Sequence, residues 1–150
     1  MQLRYGDCGD TKRCCDIRKS LHKIPLANVG KYTAETRYYM KLIEYKYSYT
    51  SWGHNESEWY RFDIENKRYF HISKGQPVAA FCLPDSLVDT ICNFFAPLCI
   101  EFPADIASFD APIWSLTIDD RSCTRIAVSE FDNLYAKISE FVEVFAKNDR

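Results

Sequence analysis

The chain has 150 residues, of which 47% are hydrophobic and 27% charged, with a formal net charge of −2. That balance excludes disorder over most of the length and suits one globular domain, residues 1–150, large enough to bury roughly 68–70% of its unfolded surface without covalent staples. The longest apolar run, residues 94–100, is far short of a membrane span, and the opening MQLRYGDCGDTKR has no apolar signal core, so a cytoplasmic protein without membrane association is expected.

In chain order, residues 10–24 read as a short helix. Cys14, Ile17, Leu21 and Ile24 fall on one face, the basic residues lie mostly off it, and Pro25 supplies the stop. Residues 26–36 read as a loop. The segment 37–49, RYYMKLIEYKYSY, is the strongest strand signal, because Tyr suits a pleated, half-buried surface. A turn is expected over Ser51–Glu56, followed by a hairpin of 57–64 and 69–73. Residues 78–83 form a short apolar run that suits a further strand.

Pro84-Asp85-Ser86 then opens a helix that carries Leu87, Val88, Ile91, Cys92 and Phe95 inward, with Asp85 as its cap. Residues 98–112 are ambiguous between strand and loop. A second hairpin is expected over 113–119 and 122–128. A final helix opens at Ser129, with Asp132 in a capping-box position and an apolar stripe from Phe131 to Phe145.

Residues 60–67 can be laid on 114–121, which suggests two ββα-like units sharing one sheet. The fold class expected is therefore α+β, a mostly antiparallel sheet of hairpins with helices on one face.

Motifs for chemistry are sparse. Five glycines, none clustered, exclude a Walker A loop or a dinucleotide-binding turn. His22, His54 and His71 stand in no Ser/His or Cys/His signature, so no catalytic residues and no cofactor are expected. Cys8, Cys14, Cys15 and His22 have zinc-ligand chemistry but the wrong spacing, and no metal site is assigned. Seven cysteines, an odd number without a secretion signal, predict reduced thiols. Cys82, Cys92, Cys99 and Cys123 sit in apolar settings and read as small core residues.

Charge is segregated. Residues 1–74 hold 14 Lys/Arg against 9 Asp/Glu, and residues 75–150 hold 5 against 12. No Lys, Arg or His lies between Lys74 and Arg121, a stretch with seven acids. An acidic face of this kind, with Asp105, Asp110, Asp119 and Asp120 as contact residues, predicts a non-catalytic protein-binding module of the inhibitor, immunity or anti-defence kind that docks a basic protein surface. A second expectation is single-stranded nucleic-acid binding by Lys41, Tyr45, Lys46, Tyr47, Tyr49 and Trp52, which interleave cations with stacking rings. The third is an enzyme or small-ligand sensor with a site that no motif announces, in a pocket lined by His71 or a thiol.

Overall fold

A computed structural model describes residues 40–99, 111–127 and 133–148. Among the described residues six strands form one antiparallel sheet: β1 (Leu42–Ser51), β2 (His54–Asp63), β3 (Arg68–Ser73), β4 (Gln76–Cys82), β5 (Ile113–Ile118) and β6 (Arg121–Ile126), in the spatial order β4-β3-β2-β1-β5-β6. Helix α1 (Asp85–Phe95) and a 3₁₀ turn (Ala96–Cys99) follow β4, and helix α2 (Asn133–Asn148) follows β6. The first four strands are a meander. After α1 the chain returns to the far side of β1, so β1 becomes an interior strand, flanked by β2 and β5.

Alternation sorts the strand residues onto two faces. Ile43 lies beside Phe62 on one neighbour and Ile118 on the other; Tyr45 lies between Tyr60 and Leu116. Phe62 continues to Tyr69, and Tyr69 to Phe81. This face carries both helices. Phe62 meets Phe95 of α1 at 5.9 Å between ring centroids and Phe145 of α2 at 5.0 Å, and Phe94 stacks on Phe141 at 4.0 Å. Each such buried side chain contributes about 1.5–3 kcal/mol. The α+β arrangement expected from the sequence, hairpins with helices on one face, is the one found.

Local chemistry explains the connections. The β3–β4 turn places both central residues at positive φ, Lys74 at 50° and Gly75 at 74°, the backbone that matches the twist of a two-residue hairpin. Between β2 and β3, the Asp63 carboxylate accepts the Asn66 amide at 3.0 Å, which closes the turn around Lys67. The β1–β2 connection is tighter than expected: only Trp52 and Gly53 separate the strands, and His54–Glu56 belong to β2. Asp85 is not the cap of α1. Pro84 holds that position in extended conformation without a side-chain bond, and Asp85, one residue inside, reaches Lys67 at 2.6 Å.

The second ββα unit, β5-β6-α2, is present as expected, whereas β4 extends the first hairpin before α1. The expected helix over 10–24, the loop over 26–36 and the capping box at 129–132 lie outside the described residues. Among the described residues no helix is long and apolar enough to cross a membrane. Cys92 and Cys123 are free and buried, in keeping with the expected thiols.

Candidate binding cleft

On the helix-bearing face, α2 crosses the sheet obliquely. Its Tyr135 stands near Trp114, with ring centroids 6.4 Å apart, and Phe145 packs on Tyr69 at 5.2 Å. Beside it a cleft of about 160 Å³ remains between β1, β2 and α2. Tyr45 and Tyr47 line it from β1, Glu58 and Tyr60 from β2, and Tyr135, Ser139, Val142 and Glu143 from α2. The strand residues alternate and therefore share a face; the helical ones fall at i, i+4, i+7 and i+8, one stripe of an α-helix.

The floor is rigid. Tyr45 is 2% exposed, with rings of Tyr60 and Trp114 at 6.2 and 6.1 Å, and its hydroxyl shares a 3.1 Å hydrogen bond with Ser139 Oγ. Burial, chiefly, pushes the Tyr45 phenol well above its ordinary pKa, so it stays neutral. Tyr47 is half-buried, and its phenol is also raised, first by burial and then by the neighbouring Tyr135 and the negative charge of Glu56. Behind the cleft, Glu58 is fixed by two donors: His71 Nε2–H to Oε2 and Ser73 Oγ–H to Oε1, both at 2.6 Å. His71 is buried and stacks on Tyr60 at 4.4 Å. The carboxylate thus receives both groups, and Ser73 donates to Glu58 rather than to the imidazole. That is an orienting arrangement for Glu58, not the hydroxyl-to-imidazole bond of an activated serine.

Four tyrosine rings and two carboxylates converge here, and the lining includes no Lys or Arg. Tyr45 and Tyr60 are buried in the floor, so the half-buried Tyr47 and Tyr135 and the two carboxylates are the groups that attract a cation; Glu143 already meets Lys147, one turn on, at 3.9 Å. The volume lies below the roughly 300–1,000 Å³ of small-molecule pockets and matches the head of one side chain.

The sequence-predicted residues are dispersed. Asp105 and Asp110 lie outside the described residues. Asp119 and Asp120 form the exposed β5–β6 turn, but Asp119 Oδ1 accepts the backbone amides of Lys41 and Leu42, at 2.7 and 2.9 Å. Tyr45, Tyr47 and Tyr49 face the α2 side of the sheet, and Tyr45 offers no free ring face. Lys46 faces the opposite way, with its ammonium 4.6 Å above the Trp59 ring. Lys41 is exposed at the start of β1, and Trp52 is 101% exposed at the β1–β2 tip. Cys8, Cys14, Cys15 and His22 lie outside the described residues, among which no cluster of three or more His, Cys, Asp or Glu could hold a metal.

Glu58, Tyr60, Tyr135, Ser139 and Glu143 escape sequence reasoning because the two halves of the cleft stand about 80 residues apart in the chain. Alternation along β2 would have placed Glu58 with Tyr60; nothing local places α2 above them. No protein family, curated protein or solved structure matches this chain.

Proposed function

We propose that this protein is a non-catalytic binding module that docks a basic protein partner, seating one Arg or Lys head in the tyrosine–glutamate cleft. The observation that supports this reading is the convergence of four tyrosines with Glu58 and Glu143 in a cleft whose lining includes no Lys or Arg. The raised Tyr47 phenol has a negatively charged neighbour as one of its causes, and the same negative field favours a cationic guest. Glu58 is already oriented by His71 and Ser73, so it loses little freedom when a guest arrives. Acidic groups elsewhere, Asp120 among them, would act at longer range by steering encounter.

Nucleic-acid binding has less support. A stacking platform needs cations and free rings together, whereas Tyr45 is buried and Lys46 faces away from Tyr47. Trp52 is the one tip residue that suits it.

The test is binding of hexa-arginine and hexa-lysine peptides to the wild type and to Glu143→Lys. Glu143 is exposed and pairs only loosely with Lys147 at 3.9 Å, a surface contact of small worth, so the substitution should leave the fold intact. Binding weakened at least tenfold is expected. Equal binding by both proteins removes the cleft as the docking point. Retention of single-stranded DNA that is lost in Trp52→Ala would transfer support to the nucleic-acid reading.

A further inference from the structure

The sheet has a second face, away from the helices, and a second concavity lies there, about 480 Å³ in volume. Its spine is one cross-strand row read directly from the register. Ile72 of β3 stands beside Trp59 of β2, Trp59 beside Lys46 of β1, and Lys46 beside Ser115 of β5. Ser48, paired with Ile113, forms the adjoining row. A bulge between His71 and Ile72 sets the position of the isoleucine. The volume falls within the range of pockets that hold whole small molecules.

Its chemistry is the reverse of the cleft under α2. Lys46 is central and exposed, and the serine hydroxyls on either side are ready donors. Glu58 borders this concavity too, but its carboxylate is bonded to His71 and Ser73 on the helix-bearing side, so no acid opposes Lys46 from that position. Trp59 supplies an independent sign. Its Nε1–H is buried and has no hydrogen-bond partner. An indole N–H is only a donor, and a buried donor without an acceptor is an uncommon, costly state. Ile72 and Ile113 provide apolar walls at the two ends.

The geometry points to a binding site for a small organic anion, a carboxylate carrying an apolar body. The carboxylate meets the Lys46 ammonium and the flanking hydroxyls, and the apolar body lies along the row to one apolar end, Ile72 or Ile113, since the two stand three strands apart. The Trp59 indole, 4.6 Å from the Lys46 ammonium, then lies beside the bound carboxylate and reports on it. The site uses the face opposite the proposed docking cleft, so the two readings stand or fall separately.

The experiment follows the Trp59 indole N–H by two-dimensional NMR in the full-length protein, with the resonance assigned through Trp59→Phe. Benzoate and hexanoate are titrated at constant ionic strength, with benzamide as the uncharged control. A saturable shift of the Trp59 resonance is expected with at least one carboxylate and none with benzamide. Lys46→Met keeps a side chain over the ring but removes the charge, and should weaken that binding at least tenfold. No saturable shift with either carboxylate, an equal response to benzamide, or undiminished binding by Lys46→Met each overturns the proposal.

Discussion

Asp119 and Leu42 hold each other twice: the Asp119 amide donates to the Leu42 carbonyl at 2.9 Å, and the Leu42 amide donates to Asp119 Oδ1 at 2.9 Å. A third bond, from the Lys41 amide to the same oxygen at 2.7 Å, completes the clamp between the start of β1 and the β5–β6 turn. Asp119 sits at φ 54°, a region that Asp and Asn tolerate better than other side chains. Asp119→Ala should therefore cost about 1–2 kcal/mol in denaturant unfolding, the solvent-open setting keeping it modest, while Asp119→Asn keeps an acceptor and costs less. Asp120→Ala, one residue on, should leave stability within about 0.5 kcal/mol. An Asp119→Ala midpoint equal to wild type would refute the clamp.

The Tyr45 phenol gives the fold an alkaline limit. Its folded pKa lies above the unfolded value of about 10, so its contribution is complete below pH 10 and is lost as pH rises through the folded value. Unfolding free energy should fall above about pH 10, and Tyr45→Phe should flatten that fall. The same variant loses the Ser139 hydrogen bond, at a cost of about 0.5–1.5 kcal/mol at neutral pH. Parallel alkaline profiles for the two proteins would show that Tyr45 does not set the limit.

Glu58 is the common acceptor for His71 and Ser73. Glu58→Ala removes that acceptor from a buried imidazole, and a loss of about 1–3 kcal/mol is expected. Glu58→Gln retains an acceptor oxygen and should recover part of it. Thermal unfolding of the two variants checks the order; an Ala variant as stable as the Gln one contradicts it.

The β3–β4 turn separates backbone effects from packing effects. A Cβ added at Gly75 meets nothing within 4 Å, so Gly75→Ala reports only the cost of φ 74°, about 1–2 kcal/mol. Lys74→Gly, at φ 50°, should be neutral or slightly stabilising despite glycine's freer unfolded chain. Unfolding midpoints of the pair give the comparison, and a stabilising Gly75→Ala would contradict the turn geometry.

Much of the fold is legible along the chain. The 2-residue period of β2, β3, β5 and β6 and the stripe of Phe141, Val142 and Phe145 are local signals, and each element lies at its signal, with β2 starting three residues early, inside the expected turn. What alternation could not supply was partnership. Tyr45 and Lys46 are neighbours in a basic, aromatic segment, yet pleating sends one into the core and the other over Trp59 on the opposite face. The clustering of acids along 75–150 likewise says nothing about Lys67 meeting Asp85, or about Asp119 being taken up by β1 amides. Both proposed sites are assembled from strands and helices far apart in sequence. Their residues become recognisable only once the register across β1 is known.

Placing β1 in the middle of the sheet has a consequence for synthesis. β2 can pair with β1 as soon as the two-residue turn is made, but β5 lies some 75 residues further on, Ile43 meeting Ile118. At about 5–20 residues per second, several seconds separate the two events on the ribosome. During that interval the meander presents the β5 side of β1 as a ten-residue edge with aromatic side chains, open to pairing with another nascent chain. Closing so long a loop is also the slow, entropically costly step of refolding. Yield of native protein should therefore depend on chain concentration and on holdase chaperones more steeply than its modest size suggests.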